Sequence, residues 1–314
     1  MNSILWIFIF VLALAVLVKS SKLFVDSCDK GVKSLGWSAF FVGMTLLALS
    51  TALPELASSL WAVQTDTTTL VASNVIGSNV ANVLLVLGLG AILYKGIEIT
   101  QESARSVMGL LLGTTFLMLV TLYDGTVQWY EGCVLIAAYI MVLLSNAEAY
   151  RTGTFQSLKN LFSRERMDGK SALTLVLSGA AVGVSSYFTV TALEEISSKA
   201  HVMPSILGAS LLALGTTLPE MILIFSALKK GKTDLAVGAI VGSSIINATL
   251  VLGIPALFAP LTVSSDMLTL GIPFLLISTL IALFALSQRK LSSYEGALHV
   301  LLYSVFVFQL LTSF

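Results

Sequence analysis

Leu46-Leu-Ala-Leu-Ser-Thr-Ala-Leu-Pro-Glu55 and Leu211-Leu-Ala-Leu-Gly-Thr-Thr-Leu-Pro-Glu220 agree at eight of ten positions and stand 165 residues apart. At the same spacing, Gly77-Ser-Asn-Val-Ala-Asn82 falls on Gly242-Ser-Ser-Ile-Ile-Asn247. A proline, a carboxylate and an amide therefore occur twice, in one arrangement, in a very apolar chain. The rest of the sequence reads as the frame that brings the two copies together.

That frame belongs in a membrane. Of 314 residues, 56% are hydrophobic and 11% charged, against about 25% charged in a soluble domain. The mean hydropathy is +0.94, which implies a polytopic membrane protein. A formal net charge of zero argues against nucleic acid as a partner. Cys28 and Cys133 form neither a metal spacing nor a disulfide framework. The first apolar run has no basic segment before it and no small-x-small cleavage site after it, so it is expected to be a retained helix.

A spanning helix needs about 20 mostly apolar residues. That criterion predicts ten spans, near 3–20, 37–63, 69–94, 105–123, 127–146, 172–192, 203–228, 234–258, 266–287 and 294–313. Connections are short except the polar 147–171. The expected organisation is a first five-helix repeat over 1–147, a cytoplasmic linker over 148–171 and a second repeat over 172–314. Of the 17 Lys and Arg residues, all but Lys199 fall in alternate connections. Basic loops mark the cytoplasmic side, so both termini are expected outside. A five-span unit enters the membrane in opposite senses in its two copies. The predicted fold is an all-α membrane protein of ten transmembrane helices in two inverted repeats, an architecture of secondary transporters with a substrate site near the midplane.

Pro54 and Pro219 lie mid-span, where each removes a helix donor and frees carbonyls near Ser50–Thr51 and Gly215–Thr216. An interrupted helix is expected there, its freed oxygens facing protein or water. Glu55 and Glu220 follow directly and are the carboxylates placed deep in the spans, a functional position by default. Thr51 and Glu55 share a helix face at i,i+4, as do Thr216 and Glu220, Ser78 and Asn82, and Ser243 and Asn247. A two-fold assembly would join these eight into an all-oxygen cluster of charge −2. Without His, Cys or Met, it serves soft metals poorly and suits calcium or sodium better than magnesium. Asn79 faces Ser244 in the alignment and is less readily assigned; Asn74 matches Ala239 and is expected to be structural. Glu194, Glu195, Lys199 and His201 read as a solvated outer loop or a cation-attracting vestibule. Arg151, Lys159 and Arg164 of the linker are placed where they can meet anionic lipid.

These paired motifs resemble the two alpha-repeats of the calcium/cation antiporter superfamily, specifically the sodium/calcium exchanger branch in its compact prokaryotic form. The resemblance covers the whole chain. It implies that Glu55 and Glu220 bind calcium and sodium. Thr51 and Thr216 would add backbone and hydroxyl oxygens, Ala48 and Ala213 carbonyls, and Ser78 and Ser243 sodium ligands, with Ser244 beside them. Asn82 and Asn247 would line the centre. Asn247 stands where some members carry aspartate, which implies potassium-independent exchange. Ala52 replaces a hydroxyl residue that Thr217 keeps, so the second copy is expected to be the better equipped.

The resemblance implies sodium/calcium antiport in the cell (plasma or inner) membrane. Spans 1 and 6 would move, and three sodium ions against one calcium would make exchange electrogenic. Proton/divalent-cation exchange at the same glutamates is the alternative, because buried carboxylates readily take protons. No cofactor is expected. The partners are the transported calcium and sodium and the bilayer, and a monomer suffices. No zincin, serine–histidine or paired-aspartate device is present, so an enzyme is not expected. A channel or receptor would give no reason for an inverted repeat.

Overall fold

The computed structural model describes residues 3–35, 38–154, 169–199 and 213–312. In chain order the helices are α1 (Ser3–Leu35), α2 (Ala39–Gln64), α3 (Thr69–Leu93), α4 (Gln101–Leu122), α5 (Trp129–Thr154), α6 (Gly169–Lys199), α7 (Ala213–Lys229), α8 (Thr233–Ala256), α9 (Met267–Gln288) and α10 (Ser293–Thr312). Seven of them, α1–α3, α6 and α8–α10, contain stretches long and apolar enough to cross a membrane. Two shorter apolar stretches, Met108–Leu122 and Trp129–Ser145, lie in α4 and α5. Residues 203–212 of the predicted seventh span, the linker residues Lys159, Arg164 and Arg166, and His201 lie outside the described residues.

Helix α1 outruns its predicted span. Beyond Lys19 and Lys22 it continues to bury Phe24, Val25 and Cys28, so the packing stripe extends past the apolar run. The ends of other helices are set locally. Ser38 caps α2 by accepting from Phe41 N at 3.1 Å. Glu131 accepts from Gln128 N at 2.8 Å before α5, and Glu295 accepts from Ser292 N and Oγ at 2.7 Å before α10. The second device is a capping box. The two caps open the last helix of each repeat.

The core is built from α2, α3, α7 and α8. Within its span α8 is 94% buried, whereas that of α1 is 28% buried. Helices α1 and α6 pack along each other at the periphery. Large apolar side chains such as Phe8, Val120, Met141 and Phe284 cover the outside of the molecule, a surface compatible with lipid and not with water.

Small residues let the core helices approach closely. A Cβ on Gly242 of α8 would overlap the backbone of Met44 in α2. Helix α10 packs on α3, and α5 on α8, through a glycine pair in each case. A Cβ on Gly88 (α3) would lie 2.9 Å from Gly296 O (α10), and one on Gly253 (α8) would lie 3.0 Å from Gly132 O (α5).

Two short ladders repeat this pairing. Strand β1 (Ile97–Glu98) pairs antiparallel with β4 (Lys290–Leu291), and β2 (Thr126–Val127) pairs antiparallel with β3 (Leu261–Thr262). Strands β1 and β2 flank α4, so the ladders lie at its opposite ends. The 165-residue spacing carries β1 onto β3 and β2 onto β4 to within one residue.

Gly242→Val is expected to lower the thermal midpoint and the monodisperse yield in detergent sharply. The added methyl groups meet backbone, which cannot rotate away; overpacking costs about 1–3 kcal/mol even where side chains can yield. Gly113→Ala in α4 has nothing within 4 Å of the new Cβ, and its melting curve should match the parent's.

Candidate functional site

Helix α2 approaches the site through a π-helical turn, Gly43–Leu47, and then runs as an α-helix straight through Pro54. The expected break at the proline is therefore absent, and α7 likewise passes through Pro219. The loss at Pro54 is confined to one missing donor. The carbonyl that loses its helical donor is that of Ser50; the nearby hydroxyls bond earlier in the turn, Ser50 Oγ to Leu47 O at 2.7 Å and Thr51 Oγ1 to Ala48 O at 3.2 Å.

Further departures from α geometry lie in the partner helices. A π-helical turn begins at Asn82 in α3 (Asn82–Leu87), and another begins at Asn247 in α8 (Asn247–Val251). Neither turn contains a proline or a glycine. Both start on the predicted central amides, where a widened turn leaves backbone groups out of the usual ladder.

The predicted carboxylates meet. Glu55 and Glu220 are 1% and 2% exposed, and Glu55 lies close enough to Glu220 to feel its charge. Around Glu220 a directed chain of hydrogen bonds crosses the two repeats. Ser243 Oγ donates to Glu220 Oε1 at 2.9 Å, and Asn82 Nδ2 donates to Ser243 Oγ at 3.2 Å. The hydroxyl has one proton, which goes to the carboxylate, so it must accept from the amide. That fixes Asn82 with its Oδ1 as the free end.

What remains is a set of buried oxygens without hydrogen-bond partners: both of Glu55, Oε2 of Glu220, and Oδ1 of Asn82 and of Asn247. No ion pair to either glutamate exists among the described residues. Leaving carboxylates unanswered in a dry interior costs about several kcal/mol per ion. Such a cluster of hard oxygens fits a sodium or calcium ion as its substrate. Among the described residues no group of three or more His, Cys, Asp or Glu could hold a metal.

The other predicted residues are distributed as follows. Ala48, Thr51, Ser78 and Thr217 are buried, and the Ala48 carbonyl receives the Thr51 hydroxyl. Ser244 donates its hydroxyl to Ile240 O at 3.1 Å. Ala213 and Thr216 belong to α7, and their side chains lie outside the described residues.

Asn79 is less readily assigned from the sequence. Its Nδ2 donates to Ser244 O at 3.2 Å across 165 residues of sequence. The two are equivalent positions of the repeat, in direct contact. The mismatch of Asn79 with Ser244 was visible in the alignment; that the two touch was not.

The profile described as "Sodium/calcium exchanger protein" matches residues 5–146 and 170–312. The chain belongs to that family. It is 30% identical to the sodium/calcium exchanger MaX1 of Methanosarcina acetivorans, over 95% of this chain and 96% of that one. It is 29% identical to the inner membrane protein YrbG of Escherichia coli, over 79% and 81% of the two chains. A solved structure of the sodium-calcium exchanger NCX_Mj, soaked with zero Na+ and Ca2+, superposes with a TM-score of 0.80 at 25% identity, covering 98% of this chain and 100% of that one. In this family member Glu220, Ser243 and Asn82 are joined by hydrogen bonds across α7, α8 and α3, with Glu55 of α2 beside Glu220.

Ser243→Ala removes both bonds of the cross-repeat chain and leaves Glu220 Oε1 and Asn82 Nδ2 unpartnered. Hydrogen bonds to charged groups contribute about 1.5–3 kcal/mol, so calcium-45 binding to the purified protein should weaken roughly tenfold or more. Ser178→Ala serves as control. Its hydroxyl bonds only to carbonyls of its own helix, and binding there should match the parent.

Proposed function

We propose that this chain exchanges sodium for calcium across the cell (plasma or inner) membrane, at one site presented alternately to each face. The observation that carries the reading is the pair Glu55 and Glu220. Two carboxylates, one from each copy of a repeated motif, are buried together without a cationic side chain among the described residues. One calcium ion balances their formal charge of −2. Sodium ions compete for the same oxygens, so one ion species excludes the other. Three sodium ions would leave the loaded site at +1, and exchange with one calcium would move net charge.

The topology proposed is ten spans in two inverted repeats with both termini outside, divided at residues 148–171. Two features support it. The short ladders at opposite ends of α4 exchange under the repeat spacing, and Asn79 meets its own equivalent, Ser244, as positions beside a two-fold axis do. Helices α1 and α6, packed along each other at the periphery, are the proposed moving elements. A monomer contains every residue the scheme requires. The amide of Asn247, where an acid would add charge, supports potassium-independent exchange.

Calcium-45 uptake into proteoliposomes under an outward sodium gradient tests the reading. The parent should accumulate calcium equally with potassium or choline as the balancing cation. An inside-negative potential should slow sodium-driven uptake, because the proposed cycle carries net positive charge outward with sodium. Glu55→Gln and Glu220→Gln should each abolish uptake. Uptake that persists in either variant would refute the central site, and uptake driven by a pH gradient but indifferent to sodium would favour proton exchange.

A further inference from the structure

Hydroxyls on α2 are mostly satisfied by their own helix. Ser50 donates to Leu47 O, Thr51 to Ala48 O and Ser58 to Glu55 O. Ser59 is the exception. It is 2% exposed, and its Oγ is buried without a partner. It follows Glu55 by four residues, on the same helix face and about 6 Å along the axis. Thr51, Glu55 and Ser59 therefore form a ladder of oxygens, and its last two rungs both carry buried oxygens without partners.

The register of the helix pairs shows what lies beside each rung. The bond from Ser243 to Glu220 sets those two residues at one level of the antiparallel pair α7 and α8. One turn towards the loop, that level holds Ile224 and Ala239, both buried and apolar. The equivalent level of α2 and α3 holds Ser59 and Asn74, both buried and polar. The loops beyond differ in the same sense. The α2–α3 turn is Thr65-Asp-Thr-Thr68, whereas the α7–α8 turn carries Lys229, Lys230 and Lys232.

We propose that Ser59 is a further cation ligand, the first buried oxygen to meet a sodium or calcium ion arriving at Glu55 from the outer face. The inner approach, past Ile224 and Ala239, has no counterpart. This rests on the exchange reading and its orientation. Ser59 takes over a water from the entering ion before Glu55 does, so it governs how the outer face captures ions. At the inner face the ion must be stripped of water by the glutamates directly.

The test uses calcium self-exchange, which needs neither a sodium nor a proton gradient. A failure of sodium coupling would therefore show in the gradient experiment and not here. Calcium-45 exchange is measured in right-side-out and everted vesicles prepared from the same cells. Ser59→Ala should raise the apparent KM at the outer face about three- to tenfold, as expected for the loss of one neutral polar contact. The inner KM should change less than about twofold on the same scale. Ser59→Thr, which keeps the hydroxyl, should restore the outer KM. An unchanged outer KM in Ser59→Ala would overturn the proposal. So would an equal rise at both faces, which would make Ser59 part of the shared site. A threonine variant as impaired as alanine would assign the effect to packing and also overturn it.

Discussion

Two carboxylates brought near each other in a dry interior are costly to ionise unless positive charge or a proton answers them, and among the described residues no cationic side chain does. That constraint accounts for much of the surrounding structure. The helices bearing Glu55 and Glu220 are held by α3 and α8, which are among the most buried segments of the chain. Neutral groups do what they can: one serine donates to Glu220, and one asparagine supports that serine. Glu55 receives no such help among the described residues. That shortfall is the feature on which the proposed binding of a small, hard cation rests. A better-satisfied site would have less reason to bind one.

Much of this was legible in the sequence because it rests on rare events. A carboxylate after a proline inside an apolar segment is unusual, and its recurrence at a fixed spacing cannot be missed. Basic residues, all but Lys199 in alternate connections, are what the proposed orientation rests on. The pairing of Glu220 with Ser243 follows from the same spacing logic that predicted the cluster. Other features left no mark. The π-helical turns at Asn82 and Asn247 arise in stretches of ordinary apolar residues, with no glycine or proline to signal them. Conversely, Pro54 signals a break, yet the α-helix runs through it without interruption. Ser59 is one of several serines in apolar helices, and only coordinates distinguish an unsatisfied hydroxyl from one bonded to its own helix.

The inequality of the two copies also takes a different shape in three dimensions. The sequence favours the second copy, where Thr217 keeps a hydroxyl that Ala52 lacks. The structure adds a difference of opposite sense one turn beyond the glutamates, where the first copy is polar and the second apolar. Neither copy is simply the stronger. Each is enriched at a different level, so the site differs along its length as well as between its halves.

The glycine pairs that lock α10 against α3 and α5 against α8 have a consequence in time. Gly88 leaves the ribosome more than two hundred residues before Gly296, the residue it packs against. At about 5–20 residues per second, roughly 10–40 s pass before its partner exists. Through that interval the first repeat resides in the bilayer with a notch on α3 open to lipid, and its own final helix likewise awaits α8. Neither repeat can finish packing ahead of the other. The packing of α3 and of α5 is therefore completed only by helices synthesised later.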